Sequence, residues 1–209
     1  MRKFCKLLLT LVLIGCICFS AQSFITNANN GTDCTMGGII TEQTERFILD
    51  TFDSACSPEE LANQILAFCL THFTYDKSSI TIPQTADTNR FIFKNDFRGV
   101  CMDFSAFVKS VFQVVGRHKG WEHVGCNVVL GHDLRAREGH AVNYICVKAP
   151  DGTVTIYELD LTRDLAFHNE GRKIQGIGYS LVADSVDTVP RTICSAFSEF
   201  YKYPIVVIT

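Results

Sequence analysis

Cys101, His140 and Asp160 are the residues of this 209-residue chain whose types and spacing suit nucleophilic chemistry. A thiolate attacks carbonyl carbon, a histidine beside it carries the proton, and a carboxylate fixes the histidine's tautomer. Phe104, Phe107, Val108, Val111, Phe112 and Val115 recur at helical spacing, which predicts a helix opening near Cys101, with Gly116 as its stop. A thiol at a helix N-terminus meets the positive end of the dipole and free backbone N–H groups. Both favour thiolate, and the same groups can stabilise an oxyanion.

His140 and Asp160 are joined through a predicted hairpin. Residues 140–148 and 153–161 read as strands around Pro150-Asp151-Gly152, a strong turn signal. A turn centred near residue 151 makes positions face each other when their numbers sum to roughly 300–303. His140 and Asp160 satisfy that, so the Asp160 carboxylate is expected to accept the histidine Nδ1–H. A helix packed on the hairpin would bring Cys101 against His140.

The remaining elements must hold these three in place. A helix is predicted from Glu42 to about Phe52. A second starts at Ser57, with Pro58 at its first position and Glu60 completing a capping box, and ends near His72 or Phe73. Residues 76–99 lack periodicity and read as a long irregular connection, a candidate wall for a site. Strands follow at 123–130, in the hairpin, and at 204–209. Helices first and antiparallel strands after define an α+β class.

Four segments in this order resemble the transglutaminase-like superfamily. Arg98-Gly99-Val100-Cys101-Met102-Asp103-Phe104-Ser105 resembles its G-V-C-x-D-[FY]-[AS] box, and Gly139-His140-Ala141-Val142-Asn143 its H-A-W-N segment. Tyr157-Glu158-Leu159-Asp160-Leu161-Thr162 resembles its W-x-x-[LV]-D-x-T strand, and His72-Phe73-Thr74-Tyr75-Asp76 its I-x-Y-D. The resemblance covers roughly residues 57–165. It implies a papain-like α+β fold in which Cys101 is nucleophile, His140 general base and Asp160 its orienting partner. The family's usual aromatic positions hold Val142 and Tyr157 here, and the single tryptophan is Trp121.

The function this implies is a cysteine-dependent acyl transfer on amide or peptide bonds, by a peptidase, an amidase or a transglutaminase, with a peptide or protein as substrate. The rival is a catalytically silent surface module that keeps the cleft and binds a peptide. A third reading, a disulfide-stapled structural domain, has Cys101 itself bridged. No cofactor is expected. His118, His123, His132 and His168 lack metal-ligand spacing and read as surface residues. Asp103 reads as a first-turn carboxylate favoured by the helix dipole.

Composition narrows the setting. Apolar residues make up 47% of the chain and charged residues 20%, with a net charge of −3 and no Lys/Arg cluster, which speaks against nucleic acid as a partner. Residues 1–23 read as an export signal, with basic Arg2, Lys3 and Lys6 before an apolar run too short to span a bilayer. Leu13-Ile14-Gly15-Cys16 resembles a lipobox, so the expected location is secreted or cell-envelope, with a lipid on Cys16 as the alternative to ordinary cleavage. Residues 24–40, with the Asn30-Gly31-Thr32 sequon, read as a linker, and residues 41–209 as one domain. Seven of the ten cysteines lie beyond the signal. In an oxidising compartment six can pair, leaving one free thiol; in a reducing one the six read as core thiols.

Overall fold

The computed structural model describes residues 36–79, 81–82, 85–133, 138–197 and 201–208. The expected export signal, the lipobox Cys16, most of the linker, the sequon and Cys34 lie outside them, as does the side chain of His132. No described helix is long and apolar enough to cross a membrane.

Helix α1 (Glu42–Phe52) is capped by Thr41, whose side chain accepts the Thr44 N–H. Helix α2 (Pro58–His72) begins at Ser57, whose hydroxyl accepts the Glu60 N–H at 3.1 Å. The returning half of the expected box shifts by one residue: the Glu60 carboxylate accepts the Cys56 N–H (2.8 Å). The segment read as irregular contains structure. Strand β1 (Thr74–Tyr75) pairs in parallel with β2 (Arg98–Gly99), and α3 (Thr88–Phe93) lies between them, capped by Asp87 on the Arg90 N–H. Six residues are too few to show a helical period. Phe97, just before the cysteine box, takes φ 57, and its ring stacks on Phe73 at 5.8 Å. A bulky residue in the left-handed region is strained unless packing over-determines it.

Helix α4 (Cys101–Lys119) is the spine of the molecule, and every residue from Cys101 to Phe112 is buried. It runs through Gly116 instead of stopping there. Gly120, at φ 67, makes the left-handed closure, and the Trp121 N–H returns to the Gly116 carbonyl at 2.8 Å.

Five antiparallel strands follow: β3 (Val124–Asp133), β4 (Gly139–Lys148), β5 (Val154–Leu159), β6 (Gly178–Ala183) and β7 (Tyr201–Ile208), in the order β6-β5-β4-β3-β7. The β4–β5 register pairs Asn143 with Leu159 and Tyr144 with Glu158, inside the range expected from the turn. Ala141 and Ile145 pack toward α4, while Val142, Tyr144 and Cys146 face Val189 and Ile193 of α6 (Val189–Phe197). Burial on both faces explains why β4 reads as a continuous apolar run. Helix α5 (Leu161–Asn169) follows β5 at once, so the strand expected to reach Leu161 ends at Leu159.

The packed chain includes part of the segment read as linker. Met36 is fully buried in one cluster with Cys101, Met102 and Ala106, and Gly37 exchanges backbone hydrogen bonds with Ala86 and Thr88. At φ 103, Gly37 has no room for a Cβ, which would fall 2.6 Å from the Ser110 hydroxyl.

None of the six described cysteines is in a disulfide, so the pairing expected for an oxidising compartment is not seen among them. Cys126 and Cys146 show why neighbours do not bridge. They lie on adjacent strands one register step apart, Cys126 opposite Ile145 and Cys146 opposite Gly125, so their side chains leave opposite faces of the sheet. Burial pushes the thiols of Cys69, Cys146 and Cys194 above their usual titration range, so they behave as small core residues.

Candidate active site

Cys101 is the first residue of α4 and is 7% exposed. The residue before it, Val100, has no side-chain acceptor. The cap comes from within the helix instead: the Asp103 carboxylate accepts the Val100 N–H at 3.0 Å. The helix's own bonds begin with the Asp103 and Phe104 N–H groups on the Val100 carbonyl, so those of Cys101 and Met102 have no intrahelical acceptor. Gly99 is required by close approach, since a Cβ there would lie 2.6 Å from Asp103 Oδ2.

His140 lies at the start of β4, opposite Gly131 of β3. Its Nε2 donates to Asp160 Oδ2 at 2.9 Å, and the Cys101 thiol is also within hydrogen-bonding reach of the ring. The expectation that the carboxylate would take Nδ1–H is therefore corrected. Asp160 holds Nε2, leaving Nδ1 as the nitrogen available to sulfur. Desolvation alone would lower the histidine's pKa. The Asp160 carboxylate, with a contribution from Cys101, outweighs it and pushes the value up to about 10.

Asp160 is not within a strand. It is the N-cap of α5, and its Oδ1 accepts the Arg163 N–H at 3.0 Å. Burial opposes its ionisation, but His140 and then Arg163 hold the carboxyl below the usual carboxylate range. Behind the pair, Arg163 Nη1 binds Glu158 Oε1 (2.7 Å), and Glu158 Oε2 accepts the Tyr144 hydroxyl (3.0 Å).

Cys101 and His140 lie in the wall of a cleft of ≈ 390 Å³ beside Tyr75, Met102, Ile82 and Leu130, while Asp160 is buried and holds His140 without lining the cleft. At its rim, Lys77 Nζ bridges both carboxylate oxygens of Glu138 at 3.1 Å. Lys77 and Ile82 come from the segment after β1, which does form a wall as the sequence suggested. Of the family's aromatic positions, Val142 is buried on the face of the sheet away from α4. Trp121 follows the far end of α4, about 28 Å along the helix axis from Cys101. The aromatic ring of Tyr75 lines the cleft. Asn143 shapes the site from behind, donating from its amide to the Ser105 carbonyl at 3.0 Å.

His118 lies 3.6 Å from Asp53 at the C-terminal end of α4. Among the described residues no three or more His, Cys, Asp or Glu side chains are grouped to hold a metal ion.

No protein-family model matches the chain, and no curated protein sequence matches it. Among solved structures, it superposes on a candidate cysteine protease from Cytophaga hutchinsonii with a TM-score of 0.45 at 13% identity, over 79% of this chain and 50% of that one. It superposes on a TGase with a TM-score of 0.40 at 15% identity, over 59% of this chain and 33% of that one. The chain thus spans about half the length of the first and a third of the second.

Proposed function

We propose that this chain is an extracytoplasmic cysteine-dependent acyl-transfer enzyme acting on amide or peptide bonds, with Cys101 as nucleophile, His140 as proton carrier and Asp160 as its orienting partner. One observation carries the reading: a helix-terminal thiol in a cleft wall meets an imidazole whose other nitrogen is held at 2.9 Å by a buried carboxylate. The order of Cys, His and Asp along the chain and the four resembling segments support it. The export signal read in residues 1–23 supports an extracytoplasmic location, with envelope peptides or extracellular proteins as substrates.

In this reading the Cys101 thiolate, paired with a His140 that already holds the proton on Nδ1, adds to the carbonyl carbon, and the carbonyl π pair moves onto oxygen. The backbone N–H groups at the start of α4 stabilise that charge. Collapse breaks the C–N bond, and His140 protonates the departing amine, leaving a thioester on Cys101. Water or a second amine then takes the acyl group, giving hydrolysis or cross-linking.

The test is to acid-quench the chain during incubation with a panel of acyl-peptide p-nitroanilides and to map any adduct by mass. An acyl group on Cys101, absent from Cys101→Ala, is the expected result, and its partition between water and added amine separates hydrolysis from transfer. Turnover retained by Cys101→Ala overturns the assignment. Peptide binding with no adduct on Cys101 replaces it with a binding module.

A further inference from the structure

Asp160 is 3% exposed, and a carboxylate so buried is costly to keep charged without a cation facing it. In the resting pair that cation is the His140 imidazolium, 2.9 Å from Oδ2. Acyl transfer takes it away. When the C–N bond breaks with its electron pair on nitrogen, the His140 Nδ1 proton passes to the amine and the ring becomes neutral. From then until the thioester is attacked, His140 offers Asp160 an N–H but no charge. A second, permanent cation must face the carboxylate from another direction.

Arg163 is placed for this. It lies in the first turn of α5, and its backbone N–H is the donor that Asp160 Oδ1 accepts at 3.0 Å. Its side chain is half-buried and turns back toward β5. Nη1 donates to Glu158 Oε1 at 2.7 Å, and Nε lies 3.6 Å from Asp164 Oδ1. Glu158 is itself fixed, accepting the hydroxyl of the buried Tyr144 at 3.0 Å. The guanidinium is thus anchored from β4, β5 and α5 together. It makes no contact ion pair with Asp160, yet it stands near enough to favour that carboxylate's charge. Of the titratable groups around the His140–Asp160 pair, namely Cys101 of α4, Tyr75 of β1 and Arg163 of α5, Arg163 alone is positive at every step.

We propose that Arg163 is a positioning residue for the acyl transfer: anchored by Glu158, its guanidinium is the permanent counter-ion of Asp160 and keeps that carboxylate charged while His140 is neutral. This rests on the reading of Cys101, His140 and Asp160 as the reacting set. Arg163 exchanges no proton and touches no substrate. It acts through Asp160 on His140, and through His140 on the thiolate.

Two substitutions separate this role from packing. Arg163→Gln and Glu158→Gln break the same 2.7 Å ion pair but change the charge in opposite senses, and both leave the backbone N–H that Asp160 accepts in place. The readout is the acidic limb of Cys101 alkylation by iodoacetamide against pH, followed by peptide mass on the full chain. Loss of a cation disfavours the nearby thiolate, so Arg163→Gln is expected to move the limb to higher pH by about half a unit or more. Glu158→Gln removes an anion and is expected to move it to lower pH. Arg163→Lys keeps the charge and should bring the limb back toward wild type. Disturbed packing would move both glutamine variants the same way, and that result overturns the role, as does an Arg163→Gln limb that coincides with wild type. Should Arg163→Gln not fold, Glu158→Gln carries the test, and a limb raised or unmoved there overturns the role. A wild-type Cys101 that titrates like a free thiol, near ~8.5, is a different failure: it removes the reacting set itself, and the Arg163 role with it.

Discussion

Asp160 holds His140 with one carboxylate oxygen and caps helix α5 with the other. Oδ2 accepts from His140 Nε2 at 2.9 Å, and Oδ1 from the Arg163 N–H at 3.0 Å. The histidine's partner is thus fixed by the start of a helix, not by a strand whose register could slip. Arg163 belongs to the same helix and reaches back to Glu158, so the turn between β5 and α5 is clamped on both sides.

The two roles separate by substitution. Asp160→Asn keeps an oxygen to cap α5 but loses the charge facing His140. It should keep the helix cap but lose the stability that comes from the coupling to His140, while acyl transfer falls by about 10³-fold or more. Asp160→Ala loses the cap as well, at an added cost of about 1 kcal/mol. Chemical denaturation beside acylation rates checks both; equal activity in Asp160→Asn and wild type would remove Asp160 from the mechanism.

The His140–Asp160 pair also sets a pH dependence. A histidine raised from 6.5 to about 10 stabilises the fold fully below pH 6.5, and that contribution fades as pH rises through about 10. Asp160, held low, contributes above the unfolded carboxylate range near ~3.9 and loses that contribution as pH falls through its folded value. These are one coupling seen from two sides. The stability gap between wild type and His140→Gln should therefore be widest between about pH 4 and 6.5 and should close toward pH 10. Thermal melting of both across that range is the measurement.

Gly99→Ala should disturb the start of α4, because the new methyl would sit 2.7 Å from Asp103 Cβ, which cannot swing away as a side-chain tip could. The expected cost is about 1–3 kcal/mol with slowed modification of Cys101. A chain of wild-type stability and reactivity would show that the turn accommodates a side chain.

Met36 closes the cluster beneath Cys101 and is fully buried. Met36→Ala should cost about 2–5 kcal/mol, as for other large-to-small changes in a core. A chain beginning at residue 41 should lose at least as much, measured by the same denaturation. Full stability of that shortened chain would show the Met36–Ile40 segment to be dispensable.

How far the sequence revealed this arrangement depended on which signals are periodic. Helix α4 and the β4–β5 hairpin were legible because an apolar stripe from Phe104 to Val115 and a Pro-Asp-Gly turn leave period and register in plain view. The α+β class followed from them. Helices α3 and α5 were not, since a six-residue helix shows no period and Asp160 reads equally well as the end of a strand. Gly116 read as a stop because a glycine beside cationic residues suits a helix end, yet Gly120 provides the left-handed closure. Which nitrogen of His140 faces Asp160 is a matter of side-chain direction at the mouth of a sheet, and residue spacing carries no trace of it. Tyr75 stands in one of the resembling segments, a position that reads as shaping the site or packing. Its place beside Cys101 depends on a two-residue strand pair that no local pattern announces.

Whether His140 activates Cys101, as proposed, is decided by the rate of Cys101 alkylation by iodoacetamide between pH 5 and 9, read by peptide mass in wild type and His140→Ala. Rapid alkylation of wild type is expected already at the acidic end of that range, slowed about ten-fold or more there by His140→Ala. Rates for Cys101 that are the same with and without His140 across the range would contradict it.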